Sequence, residues 1–405
     1  MEFGAVFLNF LSVVLWLRYL SFSSPINLKE STLMKHFIIF IFTFILACSS
    51  QNHDSVKSDR ATFPIPAISF NPRQYICFRS NIDIKVDGKM NEPVWQHVQW
   101  TEDFVDIEGE LKPMPRFRTR VKMLWDEVYF YIFAEMEESD VWATLKKRDS
   151  IIFYDNDFEV FIDPNGDTHR YYELEINAFS TEWDLFLDKP YRDDCRAVFY
   201  WDIGGMKSSV HVDGTINRPG DVDKGWNLEI ALPWVVLKEC ADKDAPPKSG
   251  DQWRVNFSRV EWQVEVNNKK YEKKIKPNTG KPFPEDNWVW SPQGLINMHY
   301  PELWGFVQFS DKIAGTDEDT FVFQQEEKTK WALRQIYYAE RDYFEHNGKF
   351  TTNITELGLS RLDSDSFQGL PKIQCTTSLF EAMVTSLDGN DRWHISQDGR
   401  VWKDN

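Results

Sequence analysis

The sequence predicts a mainly β protein whose strands pack as an antiparallel β-sandwich. Aromatic residues make up 15% of the 405 residues, with 17 Trp and 31 Phe, and aromatic and β-branched residues favour strands. Short runs of these residues alternate with Gly, Pro, Asn and Asp, a pattern typical of sandwiches and barrels. Roughly ten such runs occur, and the segments between them are too short for the helical crossovers of parallel sheets.

The predicted strands follow one another from residue 84. Two apolar runs, 119–125 and 128–135, flank Asp126-Glu127 and predict a hairpin. The other strands are expected at residues 84–95 (leading into a turn), 155–163, 171–177, 182–187, 210–216, 226–231, 253–262 and 306–309. Residues 267–285 are rich in Lys and Pro and predict a loop.

A predicted hairpin at residues 155–177 carries an unusual face. Both of its strands alternate with a period of two, so one face of each is apolar and predicts burial. Residues 164–167, Pro-Asn-Gly-Asp, supply the turn. The opposite face combines acids, an amide and aromatic rings without any Lys: Glu159, Phe161, Asp163, Tyr171, Glu173, Glu175 and Asn177. This composition indicates contact with a ligand or an ion, and the alternative is a solvated or salt-bridged face.

Residues 320–405 predict a small α+β appendage. A helical pattern over residues 326–346 is followed by Gly348, a typical helix C-cap. A short strand at 379–386 and a hairpin at 393–402 come after it. The sequence leaves open whether this appendage packs on the sandwich or folds separately.

The N-terminal region predicts export. A positively charged start, a short apolar run and small residues make residues 34–48 a secretory signal. Ile45-Leu46-Ala47-Cys48 resembles a bacterial lipobox, which would make Cys48 the lipidated first residue of the mature chain; an ordinary signal with an incidental Cys is the alternative. Residues 1–33 are interpreted as an upstream misassigned start, or alternatively as a membrane anchor. The polar residues 49–75 predict a flexible tether.

The overall composition argues against a nucleic-acid-binding protein and against a metal cluster held by cysteines. A net charge of −17 argues against nucleic acid as a partner, because phosphate binding needs a basic surface. The four cysteines after Cys48 are dispersed without metal-ligand spacing and do not predict a metal cluster.

An ordered set of segments resembles the family 9 carbohydrate-binding modules. The matching pieces are residues 86–95 (VDGKMNEPVW), 121–132, 155–164 (DNDFEVFIDP), 226–234 and 290–309, and together they place the resemblance over roughly residues 76–311. The resemblance implies a jelly-roll-like β-sandwich that binds plant-polysaccharide chains or sugars beside glycoside hydrolases. It also implies a structural calcium, which some members hold.

Candidate sugar contacts follow from the resemblance and from chemistry. The family clamps its sugar between two Trp residues, and by register these positions are Phe153 and Met298. Glu159 matches an acidic sugar contact, Asn177 falls in the matching strand, and Glu175 stands where the family has Arg. Sugar recognition needs carboxylates or amides for hydroxyl groups and flat rings for C–H faces. Further candidates are Asn256 and Arg259 for polar contacts, and Trp142, Trp183, Trp262, Trp290 and His299 for stacking or the rim, although most Trp residues are expected in the core.

Calcium and catalysis are further hypotheses for the same region. Oxygen-bearing side chains that could hold calcium are Asp155, Asp157, Asp163, Asn165 and Asp167; an Asx-rich turn explains the last three equally well. Glu173 and Glu175 lie two apart on one strand, as the paired carboxylates of a glycoside hydrolase could. No Ser/His/Asp set is evident.

The sequence therefore favours an exported protein of the bacterial cell envelope, lipid-anchored to a membrane, that binds polysaccharide or oligosaccharide without catalysis. In this interpretation it serves glycan-degrading enzymes in carbohydrate catabolism. Two alternatives remain: a surface-assembly or protein-interaction module that kept the fold but lost sugar binding, and a glycoside hydrolase acting on O-glycosyl bonds.

Overall fold

The computed structural model describes residues 62–241, 243–359, 362 and 365–404. Within them the chain forms 18 strands and two α-helices. The strands are β1 (Gln74–Arg79), β2 (Val105–Asp106), β3 (Thr119–Trp125), β4 (Tyr129–Glu137), β5 (Asp157–Asp163), β6 (Tyr171–Asn177), β7 (Glu182–Leu187), β8 (Lys207–Asp213), β9 (Gly225–Pro233), β10 (Gln252–Glu261), β11 (Val264–Asn267), β12 (Lys270–Lys273), β13 (Asp286–Val289), β14 (Gly305–Ile313), β15 (Gln368–Cys375), β16 (Phe380–Thr385), β17 (Arg392–Ser396) and β18 (Val401–Lys403). The helices are α1 (Trp234–Leu237) and α2 (Glu326–Asn347).

The fold is mainly β, as predicted, but its principal sheet is mixed. Twelve strands form one continuous sheet in the order β7-β6-β5-β10-β14-β1-β3-β4-β9-β8, with β13 beside β10 and β2 beside β13. The prediction of a purely antiparallel sandwich is wrong at β1, which runs parallel to both β14 and β3 and joins the two halves of the sheet. A period-two pattern reports which face of a strand is buried and says nothing about strand direction.

Both halves of this curled sheet bury one shared core. Phe130 of β4, Trp253 of β10 and Phe309 of β14 converge on Trp234 at the start of α1. Neighbouring ring centroids in this group lie 5.4–5.9 Å apart, and most of the pairs meet edge to face. Such pairs each add about 0.5–1.5 kcal/mol to the burial of their surface. The predicted hairpins and their aromatic content therefore assemble into a single interior.

Three segments differ from the sequence predictions. Residues 84–86 are not a strand, and Pro93–His97 form a short 3₁₀-helix. The loop expected at 267–285 contains part of the β11–β12 hairpin. Within the tether predicted at 49–75, the described residues from 62 onward lie against the body: Phe63 is buried, Phe70 stacks on Trp331 with centroids 4.6 Å apart, and β1 already begins.

The C-terminal appendage has the predicted α+β character. β15 to β18 form a four-stranded sheet, and α2 ends at Gly348, whose φ of 68° is the left-handed conformation typical of a C-cap. It packs on the body, because Leu333 and Tyr337 of α2 share a hydrophobic cluster with Tyr300 and Leu303. The described helices include none that is both long and apolar enough to cross a membrane.

A buried ion pair ties α2 to the large sheet. Arg254 of β10 donates to Glu327 at 2.6 Å, and Lys330 donates to the same carboxylate at 2.7 Å. Burial alone would raise the pKa of Glu327, but the charges of Lys330 and Arg254 outweigh it and lower the pKa to about 2. The carboxylate therefore stays ionised and holds the two cations in place.

We expect Glu327→Gln to lower the free energy of unfolding by about 3–5 kcal/mol at pH 7, because it leaves a buried cation without its partner. The folded pKa of Glu327 is below its ordinary value of 4.5, so this contribution is lost as the pH falls from about 4.5 towards 2. Urea unfolding at several pH values should show the difference from wild type shrinking towards acid pH.

Glu326→Gln is the matched control on the preceding residue. Glu326 lies 3.9 Å from Lys330 and is more exposed, so its loss should change the stability by less than about 1 kcal/mol. Equal effects of the two substitutions, or a Glu327→Gln effect that does not change with pH, would contradict this account.

Candidate ligand-binding cleft

The pairing of β5 with β6 gathers acidic side chains on one face of the large sheet. Phe158 and Val160 point into the shared core, so the residues between them point the other way. Across the two strands, Asp157 pairs with Asn177 and Glu159 pairs with Glu175. Phe161 pairs with Glu173 in the same register. Directly paired residues share a face with Cβ atoms about 4.5–5.5 Å apart, so the carboxylates are neighbours.

This face forms the floor of a cleft of about 370 Å³. Carboxylates and amides are mixed with apolar and aromatic groups around it. The lining residues are Ile107, Phe153, Glu159, Phe161, Glu173, Glu175, Trp183, Tyr191, Val260, Glu285, Asn287, Ile296, Asn297, Met298 and His299. Small-ligand sites typically combine such an apolar lining with a few placed polar groups.

Aromatic rings stand around the carboxylates and are held by specific contacts. Trp183 of β7 stacks on Phe199 with ring planes 14° apart and donates its indole N–H to the Phe199 carbonyl oxygen at 3.3 Å. Tyr191, 43% exposed, meets His299 edge to face with centroids 4.5 Å apart. Tyr171 Oη lies 2.9 Å from His299 Nδ1. Tyr191 thus presents an accessible ring at the rim of the cleft.

Burial changes the protonation of the cleft residues. It raises the pKa of Glu159 to about 7, and burial together with the neighbouring carboxylates raises the pKa of Asp157, Glu173 and Glu175 well above the ordinary range. Burial and then the charge of Arg192 lower the pKa of His299 to about 3, so the imidazole is neutral at physiological pH. Burial therefore disfavours the ionised form of these carboxyl groups, and the His299 imidazole is uncharged.

Five of the residues predicted as ligand contacts line this cleft. They are Phe153, Glu159, Glu175, Met298 and His299. Trp183, predicted as a stacking ring, joins them. Glu175 also accepts a hydrogen bond from the backbone N–H of Phe153 at 2.9 Å, so it helps to place that ring.

Two predicted polar contacts, Asn177 and Asn256, lie beneath the cleft and serve the scaffold. Asn177 donates to the Leu145 carbonyl oxygen and to the Asp155 carboxylate, at 2.9 and 3.0 Å. Asn256 donates to the Ser291 carbonyl oxygen at 2.9 Å. Both amides are fully buried. Their N–H groups donate to acceptors within the protein, so these groups are not free to donate to a sugar.

Arg259 is on the opposite face of the sheet from Glu159, contrary to its prediction as a ligand contact. It pairs in register with the core residue Phe158, and its guanidinium contacts Glu138 at 3.3 Å and Glu261 at 3.0 Å. Alternation along β10 sends this side chain inward, where the two carboxylates balance its charge.

Three Trp residues predicted to stack on a ligand are packed within the protein and do not line this cleft. They are Trp290, Trp262 and Trp142, and Trp142 packs with Trp262. Trp290 is fully buried in the core against Gly305, where an added Cβ would lie 2.3 Å from the indole ring. Trp262 donates its indole N–H to the Phe153 carbonyl oxygen at 2.9 Å and is covered by the Lys273 ammonium. Trp262 therefore supports a cleft residue without lining the cleft.

The residues predicted to hold calcium are not brought together as one site. Asp163 accepts hydrogen bonds from the backbone N–H groups of Gly166 and Thr168, and Asn165 accepts one from Asp167. These contacts make the Asx-rich turn that was the alternative. Asp167 itself bonds to the His169 N–H and to Arg400.

Asp155, also a predicted calcium ligand, is held by protein donors at both oxygens. Its carboxylate accepts from the N–H groups of Thr144 and Leu145 at 2.7 and 2.8 Å, from the Thr144 hydroxyl at 2.6 Å and from Asn177. Asp157 alone among the five lies in a carboxylate cluster, with Glu159 and Glu175.

Sequence reasoning missed several residues of the cleft. Tyr191 lies in the loop after β7, and Glu285 lies in the Lys- and Pro-rich segment for which the sequence predicts a loop. Neither has a periodic pattern around it, so no local signal could have identified it. Phe161 was recognised on the acidic face but was not selected as a contact, although the period-two pattern alone places it there.

Comparison with known proteins supports the family resemblance. Residues 86–244 match the family described as carbohydrate family 9 binding domain-like. The chain is 27% identical over 153 residues to exoglucanase XynX of Acetivibrio thermocellus, a match that covers 38% of this chain and 12% of that protein. It is 29% identical over 153 residues to endo-1,4-beta-xylanase A of Thermoanaerobacterium saccharolyticum, covering 38% and 11%. The chain thus matches only a small part of these relatives' length.

Among solved structures, a family 9 carbohydrate-binding module from Caldicellulosiruptor kristjanssonii in complex with cellotriose is similar. The similarity covers 60% of this chain and 98% of that one, with 12% identity and a TM-score of 0.37.

We expect Asp155→Asn to lower the free energy of unfolding by about 3 kcal/mol, because an amide nitrogen cannot accept the N–H donors that surround the carboxylate. The loss should be equal in calcium and in EDTA, since protein donors already contact both oxygens. Urea unfolding in the two buffers measures this, with the exposed Glu265→Gln as a control that should stay near wild type. A destabilisation present in calcium and absent in EDTA would make Asp155 an ion ligand instead.

Proposed function

We propose that this chain, whose residues 86–244 form a domain similar to family 9 carbohydrate-binding modules, binds oligosaccharide or polysaccharide in the cleft between β5, β6 and β7. In this role it is a non-catalytic part of carbohydrate breakdown that brings glycan to glycan-degrading enzymes. Two of the relatives that the chain matches are an exoglucanase and a xylanase, so β-1,4-linked glucan and xylan are the first ligands to consider.

The observation that carries the proposal is the combination of rings and carboxylates in one cleft. Sugar rings present apolar C–H faces that stack on flat aromatic surfaces, and hydroxyl groups that donate to carboxylates. Tyr191 and Phe153 supply accessible rings, while Glu159 and Glu173 supply acceptors on the floor. A volume of about 370 Å³ is within the range of small-ligand sites and suits one or two sugar units.

Phe153 and Met298 change how a sugar ring could stack in the cleft. They were aligned with the two Trp positions of the family clamp, and both line the cleft. A thioether and a phenyl ring give less stacking surface than two indoles, so we propose that Tyr191 and Trp183 take over part of this stacking. Selectivity would then rest on the carboxylates that accept from hydroxyl groups.

Cell-envelope localisation is a separate part of the proposal. The signal-like segment 34–48 and Cys48 lie outside the described residues, so support comes from the sequence pattern alone. A lipid anchor on Cys48 would hold the binding cleft close to the membrane while the glycan is processed.

Tyr191→Ala should weaken binding of cello- or xylo-oligosaccharides about tenfold, because it removes an exposed ring from the rim of the cleft. Isothermal titration calorimetry on the protein measures the affinity. Tyr343→Ala, a tyrosine substitution on α2 in the appendage, is the matched control and should bind like wild type.

Incubating the protein with the same oligosaccharides also distinguishes sugar binding from the two alternative functions, a glycoside hydrolase and a surface-assembly module. New reducing ends that disappear in Glu175→Gln would show a glycoside hydrolase. A folded protein that binds none of a panel of glycans would overturn the sugar-binding proposal and favour the surface-assembly module.

Cys48→Ala should abolish incorporation of labelled palmitate in bacterial cells and release the protein from the membrane fraction. Cys77→Ala, which alters a buried free cysteine of β1, should keep both properties. Wild-type protein that is exported without any lipid label would contradict the anchor and support the ordinary signal peptide.

A further inference from the structure

We propose that the sugar site extends from the cleft onto an exposed ledge formed by Val198, Phe199 and Tyr200, and that the protein therefore binds long polysaccharide chains more tightly than short oligosaccharides. The ledge lies in the connection between β7 and β8. The inference rests on the proposed function and names the class of glycan that the site takes, which is a chain longer than the cleft itself can hold.

The side chains of the ledge are large and exposed. Val198 and Phe199 are each 47% exposed, and Tyr200 is 82% exposed. In the described part of the chain, no other two consecutive residues are both large hydrophobic residues and exposed. Single exposed apolar side chains are ordinary, whereas contiguous ones mark interaction surfaces or ligand-binding grooves. The ledge therefore needs an occupant.

Backbone hydrogen bonds fix the ledge against the free edge of β7. The Val198 N–H donates to the Phe186 carbonyl oxygen at 2.8 Å in an antiparallel bridge, and β7 is the strand at one end of the large sheet. Phe186 packs against the shared core. Because paired residues share a face and successive residues alternate, Phe199 turns to the opposite face, which is the face of the cleft.

Trp183 belongs to both the cleft and the ledge. It lines the cleft, and its indole stacks on the Phe199 ring with centroids 6.0 Å apart and planes 14° apart. Its indole N–H donates to the Phe199 carbonyl oxygen at 3.3 Å, so the ledge is held in place before any ligand arrives. A sugar chain that passes the Trp183 side of the cleft therefore meets the exposed ring of Phe199 next.

The strand register gives the direction and length of the extended site. Phe161 of β5 pairs with Glu173 of β6, and Glu173 pairs with Leu185 of β7. The bridge between Phe186 and Val198 continues this row to Phe199, opposite Leu185. Neighbouring strands are about 4.7–4.9 Å apart, so Phe199 lies about 9–10 Å from Glu173 across the sheet. A ligand that contacts both residues must run across the strands.

The chemistry of the ledge suits further sugar units. Flat aromatic rings stack on the apolar C–H faces of sugars, and the Tyr200 hydroxyl both donates and accepts hydrogen bonds. The cleft already combines rings with carboxyl groups, so one glycan chain can use both surfaces without a change in the kind of contact. A protein partner is the other class of occupant that an exposed aromatic surface could take, and the experiment separates the two.

Calorimetry on the full chain with cello- and xylo-oligosaccharides of increasing length tests the proposal. The hexasaccharide should bind the wild-type protein about tenfold more tightly than the disaccharide, because only the longer chain reaches the ledge. Phe199→Ala should remove this gain and leave disaccharide binding within about twofold of wild type. Phe199→Tyr keeps the ring and should keep the gain. Phe321→Ala, which removes a ring that packs on Phe306 outside the cleft, is the matched control and should bind like wild type.

The outcomes distinguish failure of the ledge from failure of the cleft. Equal affinity of the wild-type protein for short and long chains would overturn the ledge and leave the cleft intact. An equal loss for both lengths in Phe199→Ala would also overturn it, since Phe199 would then act only by supporting Trp183. A folded protein that binds no glycan would overturn the proposed function itself. Self-association that Phe199→Ala abolishes, without any gain from chain length, would make the ledge a protein contact instead.

Discussion

The register between β5 and β6 is the constraint on which both the core and the cleft depend. One set of alternate residues, including Phe158 and Val160, enters the shared core, and the other set carries the carboxylates. A slip by one residue would send acids into the interior and phenyl rings to the cleft, so the burial of the apolar set locks the positions of Glu159 and Glu175. The same packing that stabilises the fold thereby concentrates negative charge on one face.

The C-terminal appendage supports this hairpin at its turn. Arg334 of α2 contacts the Gly399 carbonyl oxygen and donates to the Thr168 hydroxyl at 2.9 Å, so it links the β5–β6 connection to the β17–β18 turn. Nearby, Arg192 makes two hydrogen bonds to Glu302, at 2.8 and 3.0 Å, and Tyr338 of α2 donates to the same carboxylate. Because Arg192 follows Tyr191 directly, these contacts also hold the rim of the cleft. The appendage is therefore part of the structure that positions the cleft.

The polar groups near the cleft divide into two classes by what they contact. Asn177, Asn256 and Arg259 are consumed by backbone carbonyl groups or by partner carboxylates, and they define the shape of the sheet. Glu159 and Glu173 line the cleft on the other face of the sheet from Arg259. Chemical type alone does not separate the classes, since both contain good sugar or ion contacts. The two classes differ in whether another part of the chain already forms hydrogen bonds or ion pairs with the group.

The sequence by itself determined the elements and the face of each strand. Periodicity predicted β3 to β7 and α2 closely, and it placed Glu159, Glu173 and Glu175 together on one face, because side-chain direction along a strand is a local property. Tertiary structure decided the rest. The parallel insertion of β1, the burial of Trp290 against Gly305, the inward position of Arg259 and the arrival of Tyr191 at the rim all depend on chain segments distant in sequence. No local pattern records such contacts, since they arise from which surfaces meet when the sheet closes on its core.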